Sequence, residues 1–195
     1  MSIYNDFYTY TISTDRLMLR PFSEKRDLQA YQKHLSDGED CFHLFGAPFS
    51  EWSKDYAVWH ADGDFTYTVF LRGTDTIIGS VSLHLSCNTG EPAWYLSFWI
   101  FEEHRQQGYA KEAVGALLTG FLWGSLAPKE QAKVFANTGK GNEAAVRLLR
   151  SLGFCKTGML LQYAVKGDNV YLLETESYAL LSSLFLNRLE ERLDV

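Results

Sequence analysis

Residues Ala93 to Phe101, AWYLSFWIF, carry no charged side chain and are apolar or aromatic at every position except Ser97. Both alternating faces of a strand built from them are hydrophobic, which suits the middle of a sheet covered on both sides. The chain then passes through HRQQGYA, His104 to Ala110, into Lys111 to Trp123. There Val114, Leu117, Leu118, Phe121 and Leu122 recur at the spacing of a core-packed helix. A buried central strand, a glycine-bearing loop and a helix start thus follow one another directly. That order calls for an α/β fold in which the helix packs back onto the sheet.

The flanking segments fill in the rest. Thr14 to Pro21 alternates apolar and polar residues and reads as a short strand stopped by proline. Ser23 to Leu35 and Ser50 to His60 carry helical spacing, the first through Leu28, Tyr31 and Leu35, the second through Trp52, Tyr56 and Trp59. Phe65 to Leu71 and Ile77 to Leu85 have period two and a turn at Arg72 to Asp75, which predicts a hairpin. Ala132 to Ala136 predicts a brief strand, Asn142 to Leu152 a helix closed by Gly153, and Phe154 to Val165 and Val170 to Leu181 two further strands. The tail, with leucines at 184, 186, 189 and 193, predicts a short helix or frayed end. Such an order describes a mixed α/β sheet without regular βαβ alternation. With 195 residues, 46% apolar content and no Pro/Gly/Ser-rich linker, the chain suits one domain over residues 1–195.

Charge and cysteine usage exclude several function classes. A formal charge of −6 opposes broad binding to nucleic acid or an anionic membrane and suits a cationic partner such as an amine. The opening MSIYNDFYTYTIS has neither a basic nor an apolar signal region, and Ala113 to Pro128, broken by Gly115, Gly120 and Gly124, is too short to span a bilayer. Cys41, Cys87 and Cys155 are odd in number and widely spaced, which fits neither a disulfide framework nor a zinc site. The expected location is the cytoplasm, with reduced thiols and no metal.

The loop carries the chemistry. Backbone N–H groups at a helix start, together with the positive end of the helix dipole, form a site for phosphate or pyrophosphate. Gly108 lets the backbone approach an anion without a Cβ, Ala110 keeps the next turn open, and Arg105 adds a charge-assisted donor. Thr138-Gly139-Lys140-Gly141 lacks the further residues of a P-loop, and the chain has no GxGxxG after its first strand, no GxSxG and no HExxH. The five histidines are scattered and receive no role.

The segment Arg105 to Ala110 resembles the acetyl-coenzyme A pyrophosphate loop of the GNAT acetyltransferases. Thr14 to Pro21 (TDRLMLRP), Asn142 to Phe154 (NEAAVRLLRSLGF) and Gly158 to Leu181 are similar, in the same order, to stretches of the branch that includes the ribosomal-protein N-terminal (alanine/serine) acetyltransferases. The resemblance covers residues 12–182 and leaves the tail 183–195 outside. It implies a mostly antiparallel twisted sheet with a splayed central strand and flanking helices. It also implies acetyl-CoA as co-substrate, with its pyrophosphate on the N–H groups of Gln106, Gln107, Gly108, Tyr109, Ala110 and Lys111 and with Arg105 beside it. Ile100 would bond the pantetheine arm, and the Phe98 N–H would face the thioester carbonyl as an oxyanion donor. Asn142 would either cap its helix or touch the arm.

Two positions depart from that pattern. Leu149 stands where many GNAT enzymes have a proton-donating tyrosine, and Ala145 where the ribosomal-protein branch commonly has serine. Tyr163, or the substrate's own ammonium proton through water, is the alternative donor, and Glu174, Glu91 and Glu103 are the carboxylates considered as base. An α-amino group, with a free pKa of about 7.7–8.0, is partly neutral near neutral pH, whereas a lysine side chain at about 10.4 needs a base. The expected activity is therefore acetyl transfer to a primary amine, favouring an α-amine, by direct attack in a ternary complex. A protein N-terminus, a polyamine, an amino sugar and an antibiotic amine stay open as acceptors. The alternative is an acyl-CoA sensor or interaction module that has lost turnover. Oligomeric state is open, a homodimer being one arrangement in which the tail from Leu184 to Leu193 would cover a partner surface.

Overall fold

The computed structural model describes residues 10–35, 65–86, 93–123, 133–166 and 169–181. The expected helix from Ser50 to His60, the leucine-bearing tail, Cys41, Cys87 and Glu91 lie outside them.

Among the described residues eight strands form one sheet. They are β1 (Ile12–Ser13), β2 (Leu17–Pro21), β3 (Phe65–Leu71), β4 (Ile77–Ser86), β5 (Ala93–Ile100), β6 (Lys133–Gly139), β7 (Cys155–Lys166) and β8 (Asn169–Leu181). The spatial order is β1-β2-β3-β4-β5-β6-β8-β7. Every neighbouring pair is antiparallel except β5 and β6, which run parallel. The helices are α1 (Glu24–Leu35), α2 (Tyr109–Trp123) and α3 (Glu143–Ser151). The α/β class and the mostly antiparallel sheet agree with expectation. Three boundaries differ by two residues or more. The strand expected from Thr14 begins only at Leu17, with Ile12–Ser13 pairing as a separate strand, because a turn in which the Thr14 N–H donates to the Leu17 oxygen intervenes. The helix after the glycine loop starts at Tyr109 rather than Lys111, because only the apolar spacing beyond Lys111 signals a helix. The strand expected to end at Ala136 continues to Gly139, since pairing with β8 as far as Gly139 and Thr175 carries it through Asn137 and Gly139, residues of weak strand preference.

The two-sided hydrophobicity of β5 has a direct cause. Trp94, Leu96 and Ile100 join a core with Val114, Leu117, Leu118 and Phe121 of α2 and Val146 and Leu149 of α3. Trp99, together with Phe101 just past the strand, joins a second cluster around Tyr31 of α1. A buried network holds α1 to the sheet. Fully buried Asp27 accepts hydrogen bonds from Thr68 Oγ1 at 2.6 Å, from the Ser23 N–H at 2.9 Å and from the Arg26 guanidinium. The Tyr31 hydroxyl lies 2.7 Å from Thr68 Oγ1, and burial pushes its phenol well above the ordinary value.

Gly79 lets β4 approach β5. It stands opposite Ile100, and a Cβ there would sit 2.2 Å from the Trp99 carbonyl oxygen.

Candidate functional site

The site begins where β5 and β6 part. Their parallel ladder reaches only Trp94 with Val134 and Tyr95 with Phe135. On its other side β5 pairs with β4 along its whole length. The Phe101 N–H donates to the Ile78 oxygen at 2.9 Å. By the alternation of an antiparallel ladder, Trp99 and Ser97 also bond to β4, so Phe98 and Ile100 turn their N–H and C=O groups to the opposite edge. That edge, beyond Tyr95, faces a gap in the sheet. The Ile100 carbonyl there accepts from Arg105 Nε at 3.0 Å, which ties the loop to the strand end.

The loop itself has an unusual backbone. A short 3-10 turn over Glu102–His104 leads into Gln106 at φ 62° and Gly108 at φ 80°. Gln106 is the one non-glycine residue with positive φ among the described residues. Such a conformation persists only where surrounding contacts hold it, and here an arginine from the far end of the chain supplies them. Arg16 Nη1 donates to the Gln107 carbonyl at 2.9 Å, its Nε donates to Glu112 Oε2 at 2.7 Å, and its guanidinium lies 4.7 Å above the Tyr109 ring. Glu112, in the first turn of α2, also accepts from Thr14 Oγ1 at 2.6 Å and from the Arg16 N–H at 3.1 Å. The clamp joins the start of β2 to both sides of the loop. Reading the sequence placed Arg16 only on a strand face and left Glu112 without a role, because no spacing pattern links residues so far apart.

Burial by itself would raise the Glu112 carboxyl. Hydrogen bonds from Thr14, from the Arg16 side chain and from the Arg16 N–H nevertheless hold it below the ordinary value. A carboxyl with a depressed folded pKa adds stability above its unfolded value, about 4.3, and loses it as pH falls through the lower folded value. Glu112→Gln is expected to melt at a lower temperature than wild type at neutral pH, by roughly 1–2 kcal/mol of stability. The difference should close in melts taken stepwise below about pH 4. A difference that persists undiminished in acid would show that the carboxylate charge contributes nothing.

Two cavities meet at the parted strands. One, of about 830 Å³, is lined by Phe98, Ile100, Arg105, Gln106, Gly108, Tyr109, Ala110, Lys111 and Asn142. The other, of about 800 Å³, lies along Leu96, Ser97, Asn137, Leu149, Glu174 and Thr175 and shares Phe98, Asn142 and Ala145 with the first. Of the residues singled out from the sequence around the loop, Gln107 alone does not line the first cavity, its carbonyl being held by Arg16. Asn142 caps α3, its side chain accepting from the Ala145 N–H at 3.1 Å, while also lining both cavities.

The candidate acid and base residues are scattered. Glu174 lines the second cavity and is ion-paired with Lys140 at the surface. Glu103 Oε1 is 3.2 Å from His34 Nδ1 of α1, away from the parted strands. Tyr163 sits on the edge strand β7 opposite Leu172, and its side chain lies outside the described residues. Leu149 is fully buried against the second cavity, and Ala145 lines both. Among the described residues no helix is long and apolar enough to cross a membrane.

Several known proteins similar to this chain are acetyltransferases. The chain is 26% identical over 177 residues to YoaA, an uncharacterized N-acetyltransferase of Bacillus subtilis, covering 87% of this chain and 95% of that protein. The spermidine N-acetyltransferase of Vibrio cholerae, solved with CoA and spermine, superposes with a TM-score of 0.68 at 20% identity, over 89% of this chain and 99% of that one. An acetyltransferase of Salmonella typhimurium that modifies the N-terminal serine of ribosomal protein L7/L12 gives 0.68 at 18% identity, over 88% and 99%. At these identities the two structures speak for the fold alone. Residues 16–155 match the acetyltransferase (GNAT) domain, and this span, which takes in Arg16, Glu112, the loop and the lining of the first cavity, makes the chain an acyltransferase of the GNAT family.

Proposed function

We propose that this chain transfers the acetyl group of acetyl-CoA to a primary amine by direct attack within a ternary complex. The observation that carries the reading is the open edge of β5, whose Phe98 and Ile100 N–H groups run straight into the positive-φ loop at the start of α2. Acetyl-CoA is the co-substrate and supplies the activated thioester. In this reading the N–H groups from Gln106 to Lys111 receive the pyrophosphate. Ile100 bonds the pantetheine arm as an added strand would. The Phe98 N–H meets the thioester oxygen as negative charge builds on it, a contribution of about 3 kcal/mol in comparable sites. The amine nitrogen forms the new C–N bond, the C–S bond breaks to release CoA as its thiolate, and the proton that the nitrogen gives up passes through water to that sulfur.

That proton determines which amines suit the site. Glu174 is engaged by Lys140 and Glu103 by His34, while Leu149 and Ala145 offer no hydroxyl. An amine already partly neutral at neutral pH needs the least help, so the acceptor is an α-amine, of a protein N-terminus or a small molecule. Release of CoA should be followed with an N-terminal alanyl peptide, spermidine and Nα-acetyl-lysine amide. The peptide is expected to react at least about 100-fold faster than the lysine amide, since its neutral fraction near neutral pH is larger by a few hundred-fold. Faster reaction of the lysine or polyamine would overturn the α-amine assignment. No reaction with any amine, from a protein that acetyl-CoA still protects against heat, would instead favour the sensor reading that Leu149 and Ala145 support.

A further inference from the structure

Beyond the Tyr95 and Phe135 pair, the next residues on the same face of β5 and β6 are Ser97 and Asn137. Up to that point the face is aromatic. His84, Tyr95 and Phe135 stack in a row across β4, β5 and β6, with centroids 5.6 Å apart at each step. Where the strands part, the row ends and two polar side chains take its place. Asn137 Oδ1 is buried and has no hydrogen-bond partner. An orphaned buried oxygen opposes folding, and native structures rarely keep one without a use.

Its surroundings say what that use is. Asn137 and Ser97 line the cavity of about 800 Å³ that joins the loop-side cavity at Phe98. An amide oxygen only accepts, so its missing partner is an N–H or O–H donor. It is also uncharged, and therefore holds a neutral amine without the strong preference for ammonium that a carboxylate would impose. We propose that Asn137 Oδ1 accepts a hydrogen bond from the attacking primary amine and, with Ser97 on the facing strand, forms the subsite that aligns its lone pair. The subsite rests on the acetyl-transfer reading above. As the C–N bond forms, the nitrogen turns positive and its N–H becomes a better donor. The bond is therefore stronger at the transition state than in the ground state and contributes to kcat.

The test is Asn137→Leu, which removes the orphaned oxygen at similar volume, beside Asn137→Asp, which keeps an oxygen but adds charge. Each is assayed with the fastest amine of the three-member panel, and each is melted with and without acetyl-CoA. Asn137→Leu is expected to melt at or above the wild-type temperature, to keep the shift given by acetyl-CoA and to lose about 30-fold or more in kcat/KM, with kcat carrying part of the loss. Asn137→Asp should retain more activity, with its pH profile moved to higher pH. An Asn137→Leu protein with wild-type kcat/KM overturns the subsite while leaving acetyl transfer intact. So does a loss of activity accompanied by loss of the acetyl-CoA shift, since the residue would then serve the cofactor or the fold. A wild-type protein that acetylates none of the three amines, although acetyl-CoA still protects it against heat, favours the sensor reading over acetyl transfer and removes this subsite with it.

Discussion

Gly108→Glu is expected to abolish the thermal stabilisation that acetyl-CoA confers on the wild-type protein. At 100 times the dissociation constant, a ligand that binds only the native state adds about 2.7 kcal/mol, which for a chain of this size raises the melting temperature by roughly 5–10 °C. The substitution acts twice on that figure. Gly108 has φ 80°, where any L side chain is strained, at a cost of about 1–2 kcal/mol. The new carboxylate also stands among the N–H groups proposed to hold the pyrophosphate, repelling the anion. Space is not the obstacle, since an added Cβ would lie 3.5 Å from Arg16 Nη2, an ordinary contact. The variant should therefore fold, melt slightly lower and show no shift. Gly108→Ala, with the strain but not the charge, should keep part of the shift. A full shift in the glutamate variant would move the cofactor away from this loop.

The largest stability effect is expected at Asp27. Asp27→Ala removes the acceptor shared by Thr68, the Ser23 N–H and Arg26, and leaves a partly covered guanidinium and a buried hydroxyl without it. Breaking one side of a buried charged pair typically costs about 3–5 kcal/mol, a fall in melting temperature of roughly 10 °C. Because this network lies under α1, on the face opposite α2, the acetyl-CoA shift measured from the lower baseline should stay the same size. Asp27→Asn, which keeps one acceptor oxygen, should lose less. A variant that melts within about 1 °C of wild type, less than 1 kcal/mol would give, would mean that Thr68 and Arg26 find other partners and that aromatic packing such as that of Tyr31 on Trp99 and Phe101 suffices to hold α1.

Much of the fold was legible because its signals are local. Period two in Phe65 to Leu71 and Ile77 to Leu85 located β3 and β4, and helical spacing beyond Lys111 and Asn142 located α2 and α3, each within a few residues. The uniform apolarity of AWYLSFWIF placed β5 at the centre of the sheet, since its two faces had to meet two separate cores. Gly108 stood out because a glycine between a buried strand and a helix start has a backbone meaning of its own. The side chains around it did not announce theirs.

What the tertiary structure alone decided concerns relations between distant segments. Arg16 and Glu112 find each other only when β2 is brought alongside the loop. Asn137 was unremarkable in sequence, and its orphaned oxygen lies just past Phe135, where β6 leaves β5. Arg105, expected to face an anion, also holds the Ile100 carbonyl, and Glu174 and Glu103, weighed as bases, turn out to be paired with Lys140 and His34. Which segments are strands and helices, and where the backbone can bend, can be read along the chain, because burial periodicity and dihedral freedom are properties of a few neighbouring residues. Which strands part, and which polar groups meet or stay alone where they do, was decided by the packing of the whole sheet. Register and hydrogen-bond partnership exist only between segments that the chain has already brought together.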